Sequence, residues 1–384
     1  MIAMENTPFD SHYKDAVAER TYREGIEARD RGDVILGVYC AFTPKEILAA
    51  AGGIPVALCA GTEKPIEAAE NVLPRNLCPL IKSTFGHALL GTCPYMAETE
   101  FIFADMTCDG KKKMFEFLGE IKPMHLLALP QEAERPASLR YWLEELRLVR
   151  ETVERVTGRP VTDEALREQI VLYNGVRAAM EEVCAVNAGG APLATCREIE
   201  AICEEASGFE CNLALRAANM RAAAAKIRER AGDAAYVARM KQKPRILVTG
   251  CPTTNAKLLD ILEDAGALVV AQENCGGLKT VDPVDETGDP LDALARRYLA
   301  TPCPCMSPNP RRLALLSRLA TAYAVQGVAE LTWDACHAYN VEAGLIKRHV
   351  TESLGLPYLQ IRTDYSENDV AQLRLRVDAF LELI

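Results

Sequence analysis

The stretch that decides the fold is VILGVYCAFTPKEILAAAGGIPVALCAG, residues 34–61. Two short apolar runs, VILGVYC (34–40) and IPVALCA (54–60), flank TPKEILAAAGG. Each run is apolar on both faces, as a strand buried between layers must be, and the segment joining them reads as helix. Thr43 is expected to cap that helix, with Pro44 first and Glu46 third, a capping box. Strand, helix and strand in this order make the repeat of a parallel α/β sheet. The rhythm continues through PLIKSTFGHALLG, FIFADMT (101–107) and HLLALP (125–130). It returns over residues 245–384, where RILVTG, ALVVAQEN, VQGVAELTW and PYLQIRTDY alternate with four helical segments.

Between these halves, residues 136–240 carry long helical patterns and no convincing strand. Thr162 before Asp163 and Glu164 reads as an N-cap with an acidic first turn, and Gly232 as a helix stop. The expected organisation is an N-terminal α/β domain (1–135), a helical region (136–240) and a C-terminal α/β domain (241–384).

At 384 residues the chain can bury more than one core. Its net charge of −11 argues against a nucleic-acid or anionic-membrane surface. No apolar run reaches the roughly 18 residues of a membrane span. The opening MIAMENTPFDSHYKDAVAER has no apolar h-region, so no signal peptide is expected and the reading is cytoplasmic. That makes the 14 cysteines anomalous, because a reducing compartment favours metal or redox roles over a disulfide framework.

The cysteines divide. Cys184 continues a helical stripe with Leu172, Val176 and Met180, Cys196 and Cys203 share a face with Ile199 and Ile202, and Cys211 follows; these read as packing. Cys59 ends an apolar strand and reads as buried. Cys93 and Cys251 stay open on spacing alone. Cys40, Cys108, Cys275 and Cys336 follow strands, and Cys78 precedes a helix. Strand ends and helix starts are where an α/β sheet binds ligands, and helix N-termini suit an anionic one. Structural zinc prefers paired CxxC knuckles; none occurs, and the one tight pair is Cys303–Cys305 in PCPCM. Dispersed thiols fit an iron–sulfur cluster held between domains better.

YCAFTPKEILAAAGGIPVALCAG, PRNLCPLIKSTFG, TCDGKKKMFEFLGE, ENCGGLKT, PCPCM and ELTWDACHAYNVEA together resemble the superfamily of 2-hydroxyacyl-CoA dehydratases and benzoyl-CoA reductases, and within it the double-cubane cluster proteins. The likeness spans nearly the whole chain. It implies two Rossmann-like domains with the cluster in the cleft between them. Cys78, Cys108 and Cys336 match the three ligands of a [4Fe–4S] cubane. Cys40 and Cys275 match two of three further ligands to a second cubane, joined by a bridging sulfide into an [8Fe–9S] centre. The last ligand is expected to be Cys305 in preference to Cys303.

The resemblance further implies a homodimer that receives low-potential electrons from a separate ATP-hydrolysing partner with its own [4Fe–4S] cluster and reduces small molecules. Protons would come from His337, Glu330 and Tyr365, expected at the ends of C-terminal strands, although packing roles suit these side chains equally. Lys111, Lys112 and Lys113 read by default as a solvated helix face, with partner docking or support of an anionic centre as the alternatives. Two rival functions remain. One is a 2-hydroxyacyl-CoA dehydratase subunit with a single [4Fe–4S] cluster. The other is a non-catalytic electron carrier or assembly scaffold.

Overall fold

The computed structural model describes residues 9–384; the first eight residues of the opening segment, read above for a signal peptide, lie outside them. Among the described residues, eight strands form two four-stranded parallel sheets. The first contains β1 (Val34–Tyr39), β2 (Gly53–Ala57), β3 (Phe101–Asp105) and β4 (Met124–Leu127), in the order β2-β1-β3-β4. The second contains β5 (Arg245–Gly250), β6 (Leu268–Glu273), β7 (Gly327–Trp333) and β8 (Tyr358–Thr363), in the order β6-β5-β7-β8. The two halves thus repeat one topology, which their sequences conceal. In each, strand order reverses between the first and third strands, and the crevice at the carboxyl ends there is the natural binding point of such a sheet.

The strands form where the apolar runs are, because both faces are covered: every residue of β7 is buried, and all but the first of β1 and β5. β2 stops at Ala57, two residues short of Cys59, which is exposed; the expected buried thiol is therefore corrected. The helix after β1 spans Lys45–Ala50 with Pro44 at its cap and no side-chain cap bond. The capping box is absent because its members are engaged elsewhere. Thr43 Oγ1 donates to Asp105 at 2.6 Å, and buried Glu46 pairs with Arg177 at 2.6 Å. Thr162 does cap the helix Asp163–Cys184, accepting from the Ala165 amide. The helix Leu213–Arg228 runs on as a 3-10 turn to Gly232.

Three packings cross the sequence divisions. Phe9, Tyr13 and Val17, at the start of the helix Ser11–Asp30, share a core with Val183, Met220 and Ile227 of the helical region. The helix Pro136–Thr157 lays Trp142, Leu146 and Val149 on Leu36, Val38 and Phe103 of the first sheet. Leu291, Leu294 and Met306, from the second half, join that same core. This last excursion carries Cys303 and Cys305 to the first domain, where the Ser307 amide donates to the Gln131 carbonyl at 2.7 Å. The halves also meet where Gly61 lies against Thr254; a Cβ at Gly61 would come within 2.3 Å of the Thr254 carbonyl oxygen, so only glycine fits. No described helix is long and apolar enough to cross a membrane.

Candidate metal centre

Cys78, Cys108 and Cys336 each occupy the cap position of a helix, at Pro79–Leu90, Asp109–Leu118 and His337–Arg348. None of the three side chains makes a cap hydrogen bond, so the first-turn amides of these helices stay unclaimed by side chains beside the three sulfurs. Three free helix ends thus converge their positive poles on three sulfurs. Cys78 and Cys336 lie within electrostatic reach of each other, and Cys336 also of Cys251. Cys108 lies within electrostatic reach of Cys78.

Cys251, left open by spacing, is placed by Gly250. That glycine turns the chain at φ 110°, and a Cβ there would sit 2.1 Å from the Leu331 carbonyl oxygen. The turn lets the Cys251 amide donate to that same oxygen at 2.8 Å. Its sulfur, fully buried, then accepts from the Trp333 amide at 3.4 Å.

A second set gathers around Cys40. This residue has φ 69°, a conformation that costs a non-glycine residue free energy and often marks a functional site. Its neighbours hold it there: Asp105, at the end of β3, accepts the Phe42 amide at 2.7 Å as well as the Thr43 hydroxyl. The Cys40 sulfur lies 2.8 Å from Lys111 Nζ. Cys305 interacts electrostatically with Cys40, and Cys303 with Cys275. Cys303 and Cys305 act on one another's thiols electrostatically. The structure thus brings Cys78, Cys108 and Cys336 near one another and Cys40, Cys275, Cys303 and Cys305 near one another, with Cys108 also within electrostatic reach of Cys303. To these the structure adds Cys251 and, within electrostatic reach of Cys40, Cys59.

Lys111 corrects the reading of the KKK run. It is only 5% exposed, and its ammonium donates to Cys40. Burial opposes its charge, but Cys40, Cys59 and Cys108 outweigh that and raise it. Lys112 and Lys113 do face solvent, paired with Asp109 and Glu116. From the other domain, fully buried Lys279 and Arg312 face Cys303. The neighbouring Cys305, and after it these two cations, pull the Cys303 thiol down to about 6. The other thiols move up: Cys40 to about 12 and Cys275 to about 11 through burial, Cys108 also through burial, and Cys78, Cys305 and Cys336 chiefly through contact with another thiol. Cys40, Cys108, Cys275, Cys303, Cys305 and Cys336 all keep accessible surface.

The donor chemistry fits a large cationic iron–sulfide core. Soft thiols are crowded against their own ionisation, which bound metal reverses. Among the described residues no three His, Cys, Asp or Glu side chains form a site for a single metal ion. A tetrahedral zinc site would need such a convergence.

The expected proton donors fare differently. Glu330 sits inside β7 rather than at its end, fully buried between Arg312 (3.1 Å) and the Tyr358 hydroxyl (2.5 Å). This corrects its placement, and its ties are those of a structural ion pair. His337 is exposed on the first turn of its helix, beside Cys336. Tyr365 is 3% exposed, and its hydroxyl shares a 2.7 Å hydrogen bond with Thr254. Burial keeps this phenol neutral. Tyr365 lines a cavity of about 770 Å³ between the two halves, with Lys64, Glu67, Arg75, Lys82 and Asp334. Leu77, Pro79 and Ala335, the neighbours of Cys78 and Cys336, also line it, so it approaches the first thiol set from solvent.

Replacing Cys184 or Cys203 with alanine is expected to leave iron content unchanged, because neither belongs to these sets. The cost should be stability alone, on the order of 1 kcal/mol for a small vacated volume. A folded, iron-free Cys184→Ala protein would overturn the sorting.

A family model described as 2-hydroxyglutaryl-CoA dehydratase, D-component, matches residues 40–384. Among curated relatives, "Putative dehydratase subunit YjiM" of Escherichia coli (strain K12) is 40% identical over 94% of both chains. The "(R)-phenyllactyl-CoA dehydratase beta subunit" of Clostridium sporogenes is 21% identical over 98% of both. A benzoyl-CoA reductase subunit of Thauera aromatica is 25% identical over 44% of this chain and 43% of its own.

Proposed function

The chain belongs to the 2-hydroxyglutaryl-CoA dehydratase D-component family, within the superfamily of 2-hydroxyacyl-CoA dehydratases and benzoyl-CoA reductases, and from that premise we propose that it is an iron–sulfur reductase component with an [8Fe–9S] double-cubane centre. In this reading Cys78, Cys108 and Cys336 hold one cubane. Cys40, Cys275 and one thiol of the Cys303–Cys305 pair hold the other. The electron donor is a separate ATP-hydrolysing protein with its own [4Fe–4S] cluster, the assembly contains two copies of this chain, and the substrates are small molecules. When bound, two linked cubanes supply electrons at low potential.

The observation that carries this reading is the second thiol set, with Lys111 of one domain and Lys279 of the other beside it. Both lysines are buried, and a buried cation is costly unless an anion answers it. Lys279 has Glu273 at 3.0 Å, whereas among the described residues the Lys111 ammonium is hydrogen-bonded to the Cys40 sulfur, with the Tyr39 ring 6.0 Å away and Asp105 within electrostatic reach. The helix ends at the first set and the lysines at the second favour a negatively charged centre. Cys303 and Cys305 both fit the sixth ligand, Cys303 facing Cys275 and Cys305 facing Cys40. The chain's part in substrate chemistry is to admit molecules through the 770 Å³ cavity and to present Tyr365 Oη and the exposed His337 near it.

The names of the relatives favour a second reading more than the first. They are dehydratase and reductase subunits, which supports a 2-hydroxyacyl-CoA dehydratase subunit with one [4Fe–4S] cluster on Cys78, Cys108 and Cys336. That reading leaves the second thiol set without a role. Iron and acid-labile sulfide in anaerobically purified protein separate the two. About eight irons per chain are expected for six terminal thiolates, one to each terminal iron, with the remaining corners bridged. About four would establish the dehydratase reading, and zinc in their place would sink both.

A further inference from the structure

The segment 107–111 serves both thiol sets. Cys108, at the cap of the helix Asp109–Leu118, belongs to the first set, while the residues around it reach across to the second. Thr107 Oγ1 lies 3.6 Å from the Cys40 sulfur, and the Lys111 ammonium donates to that sulfur at 2.8 Å. Lys111 is 5% exposed and shares the buried stripe of its helix with Met114, Phe115 and Leu118, a place that an apolar side chain would fill without desolvating a charge. The fold gains no ion pair from it. Among the described residues no carboxylate is paired with Lys111, and Asp105, the nearby acid, accepts the Phe42 amide and the Thr43 hydroxyl instead. Among the described residues Lys111 alone places a cation in hydrogen-bond contact with a site thiol. Lys279 answers Glu273 at 3.0 Å and the Tyr339 hydroxyl at 2.9 Å.

We propose that Lys111 acts through Cys40 to set the reduction potential of the cubane held by the second thiol set, keeping it higher than thiolate ligation alone would. The inference rests on the double-cubane reading and deepens it by giving one side chain control over one half of the centre. Each electron that enters an iron–sulfur centre adds negative charge, and part of that charge is carried by the sulfurs. A donor fixed on a ligand sulfur therefore favours the reduced form. Lys111 supplies a charge and an N–H together, and its burial shields both from salt. Lys112 and Lys113 provide the comparison within the same helix. They face solvent, paired with Asp109 and Glu116, where water and salt screen them.

The test poises anaerobically purified full-length protein with dithionite and mediator dyes and follows reduction by electron paramagnetic resonance, with iron counted in the same samples. Lys111→Met keeps an apolar stem and loses the ammonium. It should lower one midpoint so that the reduced form is disfavoured about tenfold or more, about 59 mV for one electron. Lys111→Arg should restore most of the shift, and Lys112→Met should leave the midpoint in place. A merely structural lysine would change stability and leave the midpoint alone. Unsubstituted protein carrying nitrogen-15 lysine gives a second readout. Pulsed resonance of its reduced centre should show a nitrogen-15 coupling, which Lys111→Arg removes. Where Lys111→Met loads only half the iron, that coupling decides. Full iron in Lys111→Met with an unmoved midpoint overturns the proposal and leaves the double-cubane reading intact. So does a fully loaded, labelled centre without the coupling, or with a coupling that survives in Lys111→Arg. About four irons in the unsubstituted protein would instead sink the double-cubane reading, and this inference with it.

Discussion

Serine at Cys40 or at Cys275 is expected to yield folded protein with about half the iron of the unsubstituted chain and no ATP-driven reduction of small substrates. The expectation follows from the division of the thiols. Cys40 and Cys275 belong to the set flanked by Lys111 and Lys279, whereas the first set is built on three helix ends that neither substitution touches. Serine replaces a soft thiolate with a harder, less acidic oxygen, which iron–sulfur clusters accept poorly. At Cys40 the backbone stays in its strained conformation because Asp105 still holds Phe42 and Thr43, so the fold should persist. Serine at Cys108 makes the contrast, since it strikes the set that touches both domains. Iron quantitation beside circular dichroism checks all three variants. Full iron and full activity in both Cys40→Ser and Cys275→Ser would return those thiols to packing roles and leave the single-cluster reading standing.

The sheets and the positions of the site thiols were legible because both rest on local signals. An apolar run buried on both faces announces itself, and the residue after it marks a strand's carboxyl end. What could not be read is what long-range packing decides. Thr43 carries every local sign of a cap, but Asp105, brought beside it by strand pairing, takes its hydroxyl. Glu330 looked like a site acid because a strand end and a strand centre differ by three residues, within the error of a boundary read from sequence. Lys111 is the instructive miss. Lys111, Met114, Phe115 and Leu118 follow i, i+3, i+4, i+7 spacing, so the lysine lies on the buried stripe of its helix. That signal was present, and reading KKK as a solvated run obscured it. That Cys184, Cys196 and Cys203 all line one cavity of about 190 Å³ had no such trace, since spacing along helices says nothing of it.

Methionine at Arg312 is expected to destabilise the protein by roughly 3–5 kcal/mol, the cost of stranding buried charge. The guanidinium is fully buried and touches Glu273 at 3.1 Å, Glu330 at 3.1 Å and Glu342 at 2.5 Å. It also lies 5.0 Å from the centre of the Tyr339 ring. Glu273 and Glu330 are themselves fully buried, and they titrate in opposite directions although they share this arginine. Burial raises Glu330, which Arg312 alone among cations offsets, whereas Lys279 and Arg312 together lower Glu273. Without Arg312, the folded-state values of both carboxyls rise. A carboxyl that holds its proton more tightly folded than unfolded makes stability fall as pH rises through the interval between the two values. The deficit in an equilibrium urea titration should therefore be larger at pH 8 than at pH 5. Arg312→Lys, which keeps a charge but loses the fork that reaches three carboxylates, should recover only part of it. A loss for Arg312→Met below about 1 kcal/mol, or one independent of pH, would mean that water or bound metal compensates these carboxylates, since unpaired buried charge is not tolerated so cheaply.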